Sequence, residues 1–252
     1  MKSKNVLYPL FIFLIFLSCQ NFMGGMTGDK NDNQSYMPLN VGDVRQIIML
    51  EDSSTLLMSI VGTVRRSDGR VVYAMEWKWG FFEPDTLYYL NRNGYFLGTE
   101  LDTTDGYHIN STVNPFGEQR LAKLYPEDGE IFTHTPGSSD NAFWICRKEQ
   151  PLKTFCGIFS DVFSFNLYDT LNFQPFMETF YGKGYGYLGT SAFSSPEPDF
   201  LASYISVGNK TVGSIWPTKN PGGLMKNSEN RKNLSEVLNR IFYPGIDPLG
   251  KR

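Results

Sequence analysis

The chain has 252 residues, of which 15% are aromatic and 19% charged, and its formal net charge is −3. An acidic chain without a block rich in lysine and arginine lacks the basic surface typical of nucleic-acid-binding proteins, so we expect no nucleic-acid partner. The 20 Phe, 14 Tyr, 24 Gly and 14 Pro residues favour strands and tight turns over helices.

Residues 1–18 have the organisation of a bacterial signal peptide. Lys2 and Lys4 precede an apolar run from Val6 to Leu17. This run is shorter than the roughly 20 residues of a membrane-spanning helix and matches the apolar core of a signal peptide. It ends in Ser18-Cys19, which resembles the lipobox of bacterial lipoproteins. The resemblance implies cleavage before Cys19 and acylation of its thiol; the alternative is an ordinary signal peptide with an incidental cysteine.

Residues 19–35 are interpreted as the lipidated cysteine and a flexible tether. Gln20 to Ser35 is polar and glycine-rich and has no hydrophobic period. Several acyl chains on Cys19 would hold the protein on a membrane that it does not cross. We therefore expect a location in the bacterial cell envelope, at the outer membrane, with the lipid anchor as the membrane contact; the periplasmic and surface faces both remain open.

Residues 36–252 are predicted to form one β-rich domain. Asp68-Gly69 and Asn93-Gly94 are typical of the tight turns of β-hairpins. Many short apolar or alternating runs lie between such turns, and this spacing predicts an antiparallel sandwich, half-barrel or barrel. The predicted strands are 44–50, 55–66, 71–79, 86–91, 95–101, 119–124, 130–135, 142–148, 154–167, 176–181, 184–190, 200–207 and 211–216.

One helix is predicted near the C-terminus, over residues 229–242. Leu234, Val237, Leu238 and Ile241 follow the spacing of one helical face. Pro244-Gly245 then ends the pattern. Such a helix could cover an open sheet face or close the mouth of a barrel.

Two similar openings suggest an internal repeat. Gly42-Asp43 and Gly129-Glu130 lie 87 residues apart, and an alternating run follows each pair. Two related β halves would produce this pattern. Two unrelated tight turns would produce it as well, so both interpretations stay open.

Four segments resemble a family of uncharacterised bacterial lipoproteins. Residues 36–43, Tyr-Met-Pro-Leu-Asn-Val-Gly-Asp, resemble the family's opening, and residues 124–130 resemble a weaker second copy of it. Residues 156–162 resemble its Gly-x-Phe-x-Asn/Asp-Val strand, and residues 181–189 its late glycine-rich segment. The resemblance covers about residues 36–190. It implies a β fold and an envelope location, and it implies no activity.

The residue patterns do not indicate an enzyme. Gly184-x-Gly186-x-x-Gly189 matches the letters of a dinucleotide-binding fingerprint, but no helical period follows it, so a bulge or a tightly packed strand is the better interpretation. The two histidines, His108 and His134, have no metal-ligand spacing. We expect no catalytic residues, no cofactor and no metal site.

Two pairs of residues are candidates for structural or binding roles. Cys146 and Cys156 flank Gln150-Pro151, so a hairpin there would bring them together as a disulfide. The alternative is two buried free thiols. Trp77 and Trp79 lie on one face of a predicted strand. That face could stack on sugar rings, although such a pair more often belongs to the core.

These observations favour a non-enzymatic, membrane-anchored envelope lipoprotein whose β domain binds a ligand or supports an assembly. Three alternatives remain. The domain could carry a lipid or another apolar ligand in a half-barrel, it could bind glycans, or, least favoured, it could be a hydrolase with scattered catalytic residues. An exposed Trp77/Trp79 face would favour glycans, a large apolar cavity would favour a carrier, and a cleft with facing carboxylates would favour an enzyme.

Overall fold

Fifteen strands, paired antiparallel, make up the described part of the protein. The computed structural model describes residues 34–102, 114–135, 142–169, 175–192 and 198–218. The predicted helix 229–242 and Cys19 lie outside these residues. The strands are β1 Val44–Met49, β2 Thr55–Arg65, β3 Val71–Trp79, β4 Asp85–Arg92, β5 Tyr95–Thr99, β6 Gln119–Lys123, β7 Ile131–Thr133, β8 Ala142–Lys148, β9 Leu152–Thr154, β10 Gly157–Phe159, β11 Val162–Asp169, β12 Pro175–Gly182, β13 Gly186–Ala192, β14 Phe200–Val207 and β15 Lys210–Gly213.

Twelve of these strands form a nearly closed barrel. Their order is β6-β5-β4-β3-β2-β1-β14-β13-β12-β11-β8-β7, and β15 adds to β14. The two ends of this sheet meet, because the Arg120 amide donates to the His134 carbonyl at 2.7 Å. The Nδ1 atom of His134 also lies 3.1 Å from the Arg120 carbonyl oxygen. The predicted mostly β, antiparallel fold is therefore confirmed, in its barrel form.

The two openings noted in the sequence form the same turn. The Asn40 amide donates to Asp43 Oδ2 at 2.9 Å, and the Glu127 amide donates to Glu130 Oε2 at 3.3 Å. In return, the Asp43 amide donates to the Asn40 carbonyl at 3.0 Å and the Glu130 amide to the Glu127 carbonyl at 3.2 Å. Each carboxylate thus satisfies a turn amide that would otherwise lack a partner.

The strands after each turn also correspond. The Gly42 amide donates to the Ile60 carbonyl, and the Gly129 amide donates to the Cys146 carbonyl, so each turn is bonded to the second strand of its own hairpin. Six barrel strands follow the first turn, β1–β6, and six follow the second, β7, β8 and β11–β14. The barrel therefore consists of two halves with the same order of strands, which favours the repeat interpretation over two unrelated turns.

A segment before β1, residues 35–40, connects the two halves. The Ser35 carbonyl accepts from the Gly184 amide at 2.8 Å, in the turn between β12 and β13. The Tyr36 amide donates to the Leu124 carbonyl at 3.0 Å, at the end of β6. A barrel of twelve strands is wide and must be filled by large side chains. The segment contributes to this filling, since its side chains at Tyr36, Met37 and Leu39 are part of the main hydrophobic core.

The wall between β13 and β14 is extended by β15 and by a hairpin that was not predicted from the sequence. β13 pairs with β14 at only two positions, and β15 pairs with Tyr204 to Val207 of β14. The amide of Cys156, in the turn between β9 and β10, donates to the Ala202 carbonyl of β14 at 3.3 Å. The predicted single strand 154–167 is therefore wrong: the β9–β10 hairpin and β11 share this stretch, and Gly157, with φ of +150°, lies where the chain reverses.

Candidate functional site

The candidate site begins with a row of side chains across three neighbouring strands. Arg45 on β1 is paired with Met58 on β2, and Met58 is paired with Trp77 on β3. Residues paired in this way point to the same face of a sheet. Met58 and Trp77 belong to the main core, so this row faces the barrel interior. A charged arginine therefore stands in an otherwise apolar row.

Arg45 is buried and is held by backbone carbonyl groups. It is 1% exposed. Its Nε atom donates to the Tyr185 carbonyl at 3.1 Å, and its Nη2 atom donates to the Pro38 carbonyl at 3.3 Å. The two acceptors belong to the β12–β13 turn and to the segment 35–40. The guanidinium is consequently fixed at the place where that segment meets the second half of the barrel.

Gly186 has no side chain, and the Arg45 guanidinium occupies the space that a side chain there would fill. A Cβ atom added at Gly186 would lie 2.5 Å from Arg45 Nη2, closer than any real contact permits. Gly186 also has a φ of +83°, a conformation that other residues rarely adopt. The second glycine of the apparent dinucleotide fingerprint thus serves the packing of an arginine. The third, Gly189, lies against the backbone of Phe200, as expected for a tightly packed strand.

Among the residues that the structure describes, no carboxylate lies within ion-pair distance of Arg45. Asp43 acts on it only at longer range, because the Asp43 carboxylate accepts from the amides of Asn40 and Gly208, each at 2.9 Å. Burial therefore dominates and lowers the pKa of Arg45 to about 10, against a smaller opposing effect of Asp43.

A second buried arginine shows how this chain balances such a charge. Arg66 is 2% exposed. Its Nη1 atom lies 2.8 Å from Glu118 Oε1, and its Nη2 atom lies 2.6 Å from Asp68 Oδ2. Burial by itself lowers the pKa of Arg66, but the hydrogen bonds to the two carboxylates raise it overall above its usual value. Arg45 and Arg66 are about equally buried, and they differ in whether an anion faces them.

The Arg45 side chain lines a small cavity in the barrel interior. About 20 Å³ of this cavity is open to the centres of water molecules. Because roughly 10–15 Å³ of such space holds one water, the cavity has room for about one or two waters or for a small ion. Its walls are Met37, Arg45, Met58, Met75, Trp77, Tyr89, Phe96, Leu121, Tyr181 and Tyr187.

Two of the wall tyrosines remain neutral and use their hydroxyl groups locally. Burial raises the pKa of Tyr181 and of Tyr187 above the usual value. The Tyr187 hydroxyl contacts Thr190 Oγ1, and the Tyr181 hydroxyl is hydrogen-bonded to the side chain of Thr179. These hydroxyls therefore do not supply an anion, and Arg45 is the one charged group among the residues that line the cavity.

Trp77 and Trp79 belong to the core. They are 5% and 4% exposed, and both are part of the main hydrophobic cluster. The Trp79 ring packs edge-on against Phe200 at 6.0 Å. Their burial matches the core interpretation, and it removes the exposed tryptophan face that would have favoured glycan stacking. Trp77 enters the candidate site as part of the cavity wall.

Cys146 and Cys156 are free thiols in different parts of the structure. β8 pairs with β11, so Cys146 lies opposite Phe165. Cys156 lies in the β9–β10 turn against β14, where its side chain contacts Gly213. The hairpin on which the disulfide prediction rested is therefore absent from the described strands, and the structure does not bring the two thiols together.

His134 has a structural position at the seam of the barrel. It is buried, and Trp144 Nε1 donates to its Nδ1 atom at 3.0 Å. Among the described residues, no three His, Cys, Asp or Glu side chains are grouped in a way that could hold a metal ion. The same residues contain no helix with the length and hydropathy needed to cross a membrane.

Sequence reasoning did not single out Arg45 as a site residue. A signal for it was present: Arg45 alternates with Ile47 and Met49 in a run predicted to be a strand, and a charge on an apolar face of a strand is unusual. Comparison of the chain with protein-family models, with curated proteins and with solved structures found no match.

Proposed function

We propose that this protein is a lipid-anchored, non-enzymatic protein of the bacterial cell envelope that binds a small ligand inside its barrel. The observation that carries the binding proposal is the interior cavity, which is lined by aromatic and methionine side chains around one charged group, the guanidinium of Arg45. Binding sites for small molecules commonly combine an apolar wall with a few oriented polar groups. The small volume favours a ligand of a few atoms over a lipid.

The anchoring part of the proposal rests on the sequence. The apolar run 6–17 and Ser18-Cys19 resemble a lipoprotein signal, and the described residues begin at residue 34, after Cys19. Acylation of Cys19 would hold the protein at a membrane, which is the outer membrane in the expected location.

Metabolic labelling with a palmitate analogue tests the anchor. We expect the wild-type chain to be labelled and to sediment with membranes, and Cys19→Ala to lose both properties because the acylated thiol is gone. Cys156→Ala is the matched control, since this cysteine lies in the β9–β10 turn of the folded domain, and it should be labelled like the wild type. Continued labelling of Cys19→Ala would contradict the anchor.

Native mass spectrometry on residues 20–252 tests the binding function. We expect a reproducible small mass added to the folded chain after gentle purification, and its loss when the chain is unfolded. Trp77→Ala would be measured in parallel, because it alters the cavity wall and should change the occupancy. A chain that is free of added mass, and that gains none when incubated with a library of small metabolites, would contradict a binding role for the cavity.

A further inference from the structure

The charge distribution around the cavity points to the class of ligand. Burying a cation without a partner is costly, and proteins normally supply a carboxylate or another anion beside it. Arg66 has two such partners, Asp68 and Glu118. Arg45 has two backbone carbonyls and no carboxylate within ion-pair distance among the described residues. Within the described part of the chain, the barrel interior therefore contains a positive charge without a counter-charge, next to an internal space.

The guanidinium has donors left to face that space. Its Nε and Nη2 atoms each make one hydrogen bond, while Nη1 donates to none of the described residues. A guanidinium presents its N–H groups in a planar fork, and this fork matches the two oxygens of a carboxylate. The cavity wall behind the fork is apolar, which suits a short alkyl group better than a second charge.

We propose that Arg45 is the receptor for one small carboxylate anion, the size of formate or acetate, bound in the cavity with its oxygens toward Nη1 and Nη2. This inference rests on the proposed binding function and names the class of its ligand. The volume of the cavity excludes a long acyl chain unless Met37 and the segment 35–40 move. Gly186 makes room for the guanidinium, and the carbonyl groups of Tyr185 and Pro38 orient it.

Thermal unfolding of residues 20–252, which include every described residue, tests the proposal with sodium acetate and sodium formate as probes. The ionic strength is kept constant with sodium chloride, because sulfate is an oxyanion that could compete for the guanidinium and also stabilises folded proteins. A ligand that binds only the folded state raises the melting temperature in proportion to the logarithm of its concentration. For a chain of this size we expect about 3–6 °C for each tenfold increase of acetate above its Kd.

Three variants localise the effect. Arg45→Met should lose the response to acetate, and Gly186→Ala should weaken it because the added methyl displaces the guanidinium. Arg65→Met is the matched control: Arg65 is exposed and also donates to a backbone carbonyl, that of Gly69 at 2.8 Å, and this variant should respond like the wild type. A full response in Arg45→Met would overturn the proposal, as would no response of the wild type to either carboxylate.

Proton NMR on the folded wild-type protein provides a test that does not depend on any variant. The methyl resonance of bound acetate should shift upfield, since Trp77, Tyr89 and Phe96 form part of the cavity wall. A saturable upfield shift supports the carboxylate. An equal thermal stabilisation by sodium chloride would overturn the carboxylate class. A neutral molecule found by native mass spectrometry would overturn the inference while leaving the proposed binding function intact.

Discussion

Replacing Arg66 with Met should destabilise the protein strongly. The substitution removes a cation from between Asp68 and Glu118, and Glu118 is only 7% exposed. Breaking a buried ion pair by removing one partner costs about 3–5 kcal/mol, because the other charge stays buried without compensation. Arg92 still contacts Glu118, and Asp68 is partly exposed. We therefore expect the lower end of this range, about 3 kcal/mol of unfolding free energy.

Replacing Arg45 with Met should have a much smaller effect, although Arg45 is buried to the same degree. The fall of its pKa from 12.5 to about 10 corresponds to about 3 kcal/mol by which the interior disfavours the charge. The substitution removes this cost, and it also removes two hydrogen bonds to carbonyls, worth about 1.5 kcal/mol each for a charged donor. The two contributions nearly cancel, so we expect a change within about 1 kcal/mol.

Urea unfolding of the two variants and the wild type, at neutral pH and in a buffer without small carboxylates, measures this difference. Arg65→Met serves as the exposed control and should change the unfolding free energy by less than about 0.5 kcal/mol. The reasoning would be refuted by a loss in Arg45→Met as large as that in Arg66→Met, because Arg45 would then have a counter-charge in the folded protein.

Three further predictions follow from the packing and the pKa values. Gly189→Ala places a methyl group 2.3 Å from the carbonyl oxygen of Phe200, so the free energy of unfolding in urea should fall by about 1–3 kcal/mol. In the control Gly62→Ala, the added methyl meets nothing within 4 Å, and the unfolding free energy should change by less than about 1 kcal/mol. Equal losses in the two variants would contradict the contact. The hydrogen bond from Arg66 lowers the pKa of the Asp68 carboxyl below 3.8, so its contribution to stability is present above that pH and is lost as the pH falls through the lower folded pKa. An acid titration should therefore show a smaller loss of stability in Asp68→Asn than in the wild type, and an unchanged acid limb would count against this pair. Burial raises the pKa of the Cys146 thiol to about 12, so iodoacetamide should label the native protein first at the less buried Cys156. Mass spectrometry would detect the order of labelling, and equal rates at the two cysteines would contradict it.

The strands were predictable because their signals are local. Alternating side chains and turn residues such as Asp68-Gly69 and Asn93-Gly94 lie next to each other in the chain, and Asn93 and Gly94 have the positive φ angles that such turns require. Twelve of the thirteen predicted strands correspond to single strands of the structure, within a few residues at their ends. The exception is 154–167, where the turn at Phe155-Cys156 reverses the chain between β9 and β10.

The pairing of the strands was less accessible. The disulfide prediction assumed that β8 and the next strand form a hairpin. In the structure β8 pairs with β11, and the β9–β10 hairpin lies against β14. Which strand pairs with which depends on contacts between distant parts of the chain, and an apolar run does not by itself specify its partner strand. The closure of the barrel, through Arg120 and His134, is a contact of the same kind.

The sequence by itself determined the class of the fold, the positions of most strands and the similarity of the two turns at Gly42-Asp43 and Gly129-Glu130. These features depend on the alternation of side chains and on the conformational freedom of a few turn residues, which act over short distances along the chain. Only the tertiary structure decided which charges are balanced. Asp68 lies two residues from Arg66 in the same turn, but only the folded barrel brings the distant Glu118 to Arg66 and an internal cavity to Arg45.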